Sequence, residues 1–257
     1  MNNSLGSADV IVERNVEVPM RDGTVLRADI WRPDATGQFP VLIERTPYDK
    51  TASSESSLGA GEYYASHGYV TVIQDVRGRF ASDGVFYPFR DDGDGENQDG
   101  YDTVEWAAAQ PWSNKKIGTI GGSYSGATQY RMLATQPPHL VAQFVRQSSS
   151  DYYIEWVYRS GVFEHGFNIS WTLKHASTNA AKLAPEGMED EVVTRLTKAS
   201  DDYQKWLEHV PISPLLPVAD LQEWFVDWMD HPNQGEYWNE FSIVRSHDLV
   251  DVPVHHF

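Results

Sequence analysis

The segment 117–126, with the sequence IGTIGGSYSG, holds a serine in a setting suited to nucleophilic chemistry. A short β-branched run leads into residues with little or no side chain, Ser123 lies among them, and a helix-like run follows. A nucleophile elbow has this order, because its turn is too tight for large side chains and its helix directs the first amides at the reacting atoms. The spacing is unusual, since Gly121 lies two residues before Ser123 but Ser125 lies two after it. These residues alone leave two interpretations open, a nucleophile and an ordinary strand-to-helix turn.

The residues before this turn alternate between strand and helix patterns. Predicted strands span 10–20, 24–31, 39–45 and 69–75, and a predicted helix spans 61–67. The tripeptide Arg21-Asp22-Gly23 between the first two strands is a hairpin signal. The run 69–75 is apolar enough along its length to predict a central strand of a parallel sheet. This alternation of strands and helices indicates an α/β fold.

The pattern changes near residue 148. Before it, helices are predicted over 100–110 and 124–135, and strands over 116–120 and 140–146. After it, aromatic residues crowd the segment 152–171 without strand alternation, and apolar residues follow helical spacings over 189–209 and 221–229. The sequence therefore predicts an α/β part over 1–150, a helical insertion over 151–245 and the start of one more strand over 246–257.

Six acidic residues crowd the segment 91–102. A calcium-binding loop that began at Asp92 would need glycine at its sixth position and glutamate at its twelfth, but the sequence has Asn97 and Thr103 there. We therefore predict a solvated loop whose last acids lie at the N-terminus of the helix 100–110, where the helix dipole favours negative charge.

Composition excludes several classes of partner. A net charge of −17 argues against nucleic acid and anionic membranes, because phosphate binding needs clustered Lys and Arg. The absence of cysteine excludes disulfides and thiolate metal sites, and the spacings typical of histidine metal sites are also missing. No secretory signal and no apolar run of about eighteen residues is present. We expect a cytoplasmic protein without membrane, nucleic-acid or metal partners.

Five short motifs, in one order along the chain, carry a resemblance to a known family. They are VPMRDG at 18–23, RTPYDK at 45–50, QDVRG at 74–78, QPWSN at 110–114 and GGSYSG at 121–126. With these motifs the chain resembles the α/β-hydrolases of the X-Pro dipeptidyl-peptidase and cocaine esterase (CocE/NonD-type) family, strongly through residue 150 and more loosely beyond. The resemblance implies an α/β-hydrolase fold with a mostly parallel central sheet, in which the helices of 151–245 cap the active site of a catalytic domain.

The resemblance also implies roles for three residues. Ser123 would be the nucleophile that attacks an acyl carbonyl and forms an acyl-enzyme, which water then resolves. The backbone N–H of Tyr124 and the hydroxyl of Tyr48, in a Pro-Tyr-Asp loop, would form the oxyanion hole. In this family the serine lies in a Gly-x-Ser-Tyr-x-Gly turn, so the spacing around Ser123 is the expected one. No cofactor is implied.

The main departure from the family concerns the catalytic acid and base. The family carries its acid in a Gly-Trp-Tyr-Asp-like turn just past a strand that resembles 252–257, with the histidine later still, and neither turn occurs here. The acidic and histidine residues near that strand precede it or lie on it, so none is assigned: His247, Asp248, Asp251, His255 and His256. We expect the acid and base to lie outside this chain, which would then be the N-terminal part of a longer protein whose fold it does not complete. Hydrolysis by this piece alone should be very slow.

Two classes of function remain open at this point. One is a serine hydrolase that cleaves an ester, an amide or an X-Pro bond in a small molecule or short peptide. A peptidase of this kind would need a carboxylate for the free amino terminus, and the candidates are Glu155, Glu164 and the acidic residues of the later helices. The other is a non-catalytic ligand-binding module without a complete triad. Asp75 and Arg77 could bind a substrate carboxylate, but we favour a structural ion pair that braces a loop. The oligomeric state stays open, a homo-oligomer included.

Overall fold

The computed structural model describes residues 9–52, 60–93, 95–212 and 217–257. The chain divides into two compact units, which we call the sheet unit (Met1–Ser150 with Ile243–Phe257) and the helical unit (Asp151–Ser242). Among the helices within the described ranges, none is both long enough and apolar enough to cross a lipid bilayer.

The strands of the described residues follow in chain order. They are β1 (Val10–Pro19), β2 (Val25–Pro33), β3 (Phe39–Thr46), β4 (Val70–Asp75), β5 (Ser113–Gly122), β6 (Leu140–Arg146), β7 (Tyr158–Arg159), β8 (Val162–Phe163) and β9 (Val254–His256). All but β7 and β8 form one sheet in the order β1-β2-β4-β3-β5-β6-β9. β3, β4, β5, β6 and β9 pair in parallel, whereas β1 with β2 and β2 with β4 pair antiparallel. The predicted mixed α/β fold with a mostly parallel central sheet is confirmed.

The helices complete the two units. They are α1 (Ala60–Ser66), α2 (Asp99–Ala108), α3 (Tyr124–Leu133), α4 (His165–Thr178), α5 (Ala180–Leu183), α6 (Glu189–Asp201), α7 (Tyr203–Leu207), α8 (Glu223–Asp230) and α9 (Glu236–Asn239). A π-helical turn spans Tyr153–Val157 and a 3-10 helix spans Val244–Leu249.

The sheet unit buries apolar side chains on both faces of the sheet. On one face, residues of α2 and α3 such as Val104 and Met132 pack against Val41, Ile43 and Ile117 of β3 and β5. On the other face, α1 contributes Ala65 to a smaller cluster with a β2 tryptophan and a β4 isoleucine. Burial on both faces explains why every residue of β4 is buried.

The position of β4 differs in one respect from the prediction. A strand with two parallel neighbours was expected, but β4 is parallel only to β3 and antiparallel to β2. A continuous apolar run reports burial on both faces and carries no information about the direction of the neighbouring strands.

The helical unit contains a short hairpin that the sequence did not reveal. β7 and β8 pair through a turn in which Ser160 and Gly161 both have positive φ, 51° and 78°. Positive φ at both central residues is the type I′ geometry that matches the twist of paired strands. Two-residue strands are too short to show alternation, so this segment was wrongly read as lacking strands. The predicted helix 189–209 is also interrupted, at Asp202 between α6 and α7.

The acidic segment 91–102 is not a solvated loop, and this prediction was wrong. Asp92 forms an ion pair with Arg45, and Asp99 accepts hydrogen bonds from Arg77 at 2.6 and 3.0 Å; all four side chains are buried. The predicted placement of the last acids is confirmed, because Asp99 and Asp102 lie in the first turn of α2. Asp94, another member of the run, lies outside the described residues.

Candidate active site

The turn that follows β5 forces an unusual backbone at Ser123. Ser123 has φ 54° and ψ −122°, a left-handed φ that non-glycine residues rarely adopt. The two flanking glycines allow this turn, because a Cβ atom on Gly121 would lie 2.5 Å from the Ser125 Cβ and one on Gly126 would lie 2.6 Å from the Ser148 Cβ. The side chain of Ser123 is exposed at the apex. A strained, exposed serine between a strand and a helix is the geometry of a nucleophile elbow.

Residues at the end of β6 hold this strained backbone on both sides. The N–H of Ser123 donates to the carbonyl of Arg146 at 2.9 Å, and the Ser148 hydroxyl donates to the carbonyl of Ser123, also at 2.9 Å. That carbonyl accepts the first intrahelical bonds of α3 as well, from Gly126 and Ala127. The elbow is therefore fixed by the neighbouring parallel strand and by its own helix.

Tyr48 reaches Ser123 because β3 and β5 are parallel neighbours. Ile43 pairs with Thr119 in this register, so the carboxyl ends of both strands lie at one edge of the sheet. Tyr48 follows the end of β3 by two residues, and its Oη lies 3.2 Å from the Ser123 Oγ. The sequence-predicted pair is thus brought within hydrogen-bond distance, although 75 residues separate its members.

Tyr124 is the first residue of α3 and its side chain is buried. Its ring stacks on Phe89 at 4.6 Å, and its hydroxyl accepts the Phe89 N–H at 2.9 Å. The side chain is committed to the core, whereas the backbone N–H belongs to the first helical turn, where amides lack intrahelical acceptors. Any role of Tyr124 at the site is therefore a role of its backbone.

The segment around Tyr48 is held by charged residues at the end of β4 and just after it, which sequence reasoning did not identify as part of the site. The Asp75 carboxylate accepts the Lys50 N–H at 2.7 Å and lies 3.0 Å from the Lys50 Nζ. The Arg79 Nε donates to the Pro47 carbonyl at 3.0 Å. The signal for these contacts was a lysine and an aspartate at the ends of two strands, but their pairing requires the register of β3 and β4.

Asp75 and Arg77 each form a buried ion pair, and their partners are different residues. Asp75 pairs with Lys50, whereas Arg77 pairs with Asp99 and with Asp22, both at 2.6 Å. Burial raises the pKa of Asp75, against the opposing effect of Lys50. The two residues therefore do not form the ion pair with each other that the sequence interpretation expected, although each forms a structural ion pair. The loop that Asp75 braces is the one that carries Tyr48.

Glu44 is a buried carboxyl next to the elbow that the sequence did not single out. Burial raises the pKa of Glu44, against the opposing effects of a hydrogen bond with Ser125 and of the Arg146 charge. A single glutamate within a buried strand carries no pattern that would have marked it.

The histidines near the C-terminal end contact other residues of the sheet unit. The His255 ring stacks on Phe144 at 5.1 Å, and the His256 Nδ1 lies 2.7 Å from the Tyr130 Oη. His247 lies in the 3-10 helix. Within the described ranges, no histidine forms a hydrogen bond with Ser123.

The two glutamates considered for an amino-terminus site lie in the helical unit. Glu164 forms an ion pair with Arg159 at 2.5 Å, and the Glu155 carboxylate accepts the Asp151 N–H at 3.4 Å. Both contacts lie within the helical unit itself.

With this geometry established, comparison with known proteins defines the family. Residues 22–257 match the family model of the X-Pro dipeptidyl-peptidases (S15 family), and the chain belongs to that family. It is 34% identical over 242 residues to the cocaine esterase of Rhodococcus sp. (strain MB1 Bresler), an alignment that covers 91% of this chain and 41% of that protein.

Two solved structures of hydrolases have a similar fold. A CocE/NonD family hydrolase from Staphylococcus aureus is 26% identical with a TM-score of 0.70, over 95% of this chain and 40% of that one. An α-amino acid ester hydrolase, 23% identical, shares the fold with a TM-score of 0.70 over 100% of this chain and 44% of its own. The chain therefore spans about two fifths of the length of these relatives, which are hydrolases.

Proposed function

We propose that the protein acts as a serine hydrolase in which Ser123 is the nucleophile and the Tyr48 hydroxyl and Tyr124 N–H form the oxyanion hole. The observation that carries this proposal is the 3.2 Å contact between the Tyr48 Oη and the Ser123 Oγ at the apex of a strained, exposed turn. The strain at Ser123 supports a functional role, because such backbone strain persists where the surrounding structure enforces it, and it clusters at active sites.

The proposed chemistry proceeds in two steps. The Ser123 Oγ bonds to the carbonyl carbon of an ester or amide while its proton passes to a general base, and the carbonyl oxygen becomes an oxyanion. Two hydrogen-bond donors, the Tyr48 hydroxyl and the Tyr124 N–H, stabilise the negative charge where it develops. The alcohol or amine leaves with a proton from the protonated base, and water then releases the acid from the acyl-enzyme.

The proposal extends to the class of substrate and leaves its exact identity open. The substrate would be a small-molecule ester or amide or a short X-Pro peptide. The names of the relatives support the ester and X-Pro classes, since they include an esterase, an ester hydrolase and an X-Pro dipeptidyl-peptidase. That the catalytic acid and base lie outside these 257 residues stays a prediction. It implies that the isolated chain hydrolyses esters very slowly, and hydrolysis at the rates typical of enzymes would contradict it.

Fluorophosphonate labelling followed by peptide mapping tests the nucleophile. In extracts of the native source we expect the label on Ser123, because the isolated chain is predicted to lack the base that activates the hydroxyl. The Ser123→Ala variant should not be labelled. The matched control is Ser125→Ala, which removes a buried hydroxyl two residues further along the same turn and should keep the label. Tyr48→Phe should slow labelling by about 10²- to 10³-fold, the usual cost of one oxyanion donor.

Two outcomes would contradict the proposal. A label that persists in Ser123→Ala would place the nucleophile elsewhere. The absence of any label, both in the isolated chain and in extracts of the native source, would favour a ligand-binding module over an enzyme.

A further inference from the structure

The segment that carries Tyr48 is held on both sides, by Asp75, the last residue of β4, and by Arg79, which follows that strand. One residue before Tyr48, the Pro47 carbonyl accepts a hydrogen bond from the Arg79 Nε at 3.0 Å. Two residues after it, Lys50 binds the Asp75 carboxylate through its N–H and its Nζ. Tyr48 therefore lies between two attachment points that belong to neither its own strand nor the elbow.

The groups that hold this segment are removed from solvent. Arg79 is 1% exposed, Asp75 is 0% exposed and Lys50 is 3% exposed. Hydrogen bonds in which the donor or the acceptor is ionised are short and strong, and solvent does not compete with them in a buried site. Burial lowers the pKa of Arg79 to about 10, so its guanidinium remains charged at neutral pH.

The orientation of the Arg79 guanidinium is itself fixed. Its central carbon lies 4.8 Å from the ring centre of Phe80 and 5.3 Å from that of Phe86. A planar cation against aromatic faces loses little further freedom when it binds a carbonyl. The guanidinium is therefore preorganised to hold the Pro47 carbonyl.

The backbone of the Tyr48 segment, residues 47–50, includes an unfavourable conformation that its contacts must stabilise. Asp49, directly after Tyr48, has φ 78°, a value that is unfavourable for a residue other than glycine. An unfavourable backbone conformation persists only where surrounding contacts enforce it. Here those contacts are the bonds to Pro47 and Lys50 together with two local bonds, from the Tyr48 N–H to the Thr46 Oγ1 at 3.1 Å and from the Thr51 N–H to the Asp49 carboxylate at 2.9 Å.

We propose that Arg79 is a positioning residue. By holding the Pro47 carbonyl, it places the Tyr48 hydroxyl where it can donate a hydrogen bond to the oxyanion. The inference rests on the proposed function of Tyr48 and Ser123. A small displacement of a donor matters, because a shift of about 1 Å in a reacting geometry costs up to about 10²-fold in rate. Arg79 touches no reacting atom in this account, and it acts only through Tyr48.

The test compares Arg79→Gln with the matched control Arg77→Gln in the protein as the native source makes it, which is predicted to supply the base. Arg77 is a buried arginine two residues away whose contacts are with Asp22, Thr24, Asp91 and Asp99, none of them in the Tyr48 segment. Both variants lose a buried cation, but only Arg79→Gln should lower the maximal rate of Ser123 phosphonylation, by about tenfold, with inhibitor binding unchanged. Arg79→Lys keeps a cationic donor and should recover part of the rate.

A double-mutant cycle separates positioning from general damage. If Arg79 acts only through Tyr48, adding Arg79→Gln to Tyr48→Phe should lower the phosphonylation rate no further. A further tenfold loss in the Tyr48→Phe background would overturn the proposal, as would an equal loss in Arg77→Gln.

A second readout keeps the inference separate from the proposed function. In protein with 3-fluorotyrosine at position 48, the ¹⁹F resonance should move or broaden in Arg79→Gln and stay unchanged in Arg77→Gln. If the parent protein is not phosphonylated at all, the proposed function fails while this spectrum still decides the positioning role. An unchanged resonance in Arg79→Gln would refute that role even in a protein that is labelled at Ser123.

Discussion

The sheet unit and the helical unit differ in the kinds of side chain that they bury. The described part of the sheet unit buries ten charged side chains: Asp29, Glu44, Arg45, Lys50, Asp75, Arg77, Arg79, Asp92, Asp99 and Arg131. In the described part of the helical unit, Asp151 alone among Asp, Glu, Lys and Arg is buried. The helical unit instead buries aromatic rings, and its Trp224 and Trp228 ring centres lie 4.7 Å apart.

The two kinds of buried contact differ in how tightly they fix the positions of atoms. Buried ion pairs and charged hydrogen bonds hold particular atoms at particular distances, and they are costly when one partner is lost. Aromatic packing removes a large apolar area from water but tolerates changes of shape more readily. The sheet unit carries the candidate site, where Ser123 and Tyr48 must meet within a narrow range of distances. Directional contacts suit that requirement.

The largest effect that we expect from this contrast follows the loss of a buried charge. Asp99→Asn keeps the size of the side chain but leaves Arg77 without its buried carboxylate, and Arg45 lies 3.8 Å away. We expect the free energy of unfolding to fall by about 3 kcal/mol, because Arg77 loses its buried partner and keeps the partly exposed Asp22. Chemical denaturation followed by circular dichroism measures the change.

The control for this prediction lies in the same helical turn. Asp102 also pairs with an arginine, Arg21, but that arginine side chain is more than a third exposed. Asp102→Asn should therefore cost less than about 1 kcal/mol. Equal costs for the two variants would show that burial is not what distinguishes these pairs.

A conservative change in the helical unit should cost less. Trp228→Phe reduces the size of a fully buried ring that packs against Trp171, Trp224 and Trp238. We expect a loss of about 1–2 kcal/mol, since neighbouring rings can close part of the gap. The same substitution at the partly exposed Trp206 should cost below about 0.5 kcal/mol. A loss at Trp228 as large as that of Asp99→Asn would break the contrast between the two units.

The sequence predicted those parts of the site that depend on local sterics. Gly121 and Gly126 are required because a Cβ at either position would collide with a neighbour, and such a requirement is visible as a glycine at a fixed offset from Ser123. Tyr48 was predicted through a family resemblance, because its contact with Ser123 depends on the pairing of β3 with β5.

The buried charges could not be predicted in the same way. Arg77 and Asp99 are 22 residues apart in the chain. An aspartate that is buried in an ion pair has the same sequence context as one that faces solvent, so the residue pattern does not distinguish them. The acidic run was therefore read as solvated, although Asp92 and Asp99 are buried partners of arginines from strand β3 and from the segment after β4. Pairing over such separations is decided by topology, which residue patterns do not contain.

The smallest effect concerns the response of the two units to acid. The hydrogen bond from Arg77 holds the pKa of Asp22 at about 2, well below its ordinary range. Because the folded-state pKa lies below that of the unfolded chain, Asp22 stabilises the fold above about pH 4 and loses that contribution as the pH falls towards 2. Asp202 of the helical unit also has a lowered pKa, through the hydrogen bond from Lys205, but it lies on the surface.

Denaturation between about pH 4 and pH 2 compares these two aspartates. Asp22→Asn should lose on the order of 1 kcal/mol of stability at neutral pH, reduced from the full pKa shift because the Asp22 side chain is partly exposed, and little in strong acid. High salt should leave most of this difference in place, because Arg77 is buried, and should remove the smaller difference seen in Asp202→Asn, because solvent screens a surface pair. If salt removed both differences equally, the Arg77 network would be no more than a set of surface ion pairs, and the distinction drawn between directional burial in the sheet unit and aromatic burial in the helical unit would lose its electrostatic basis.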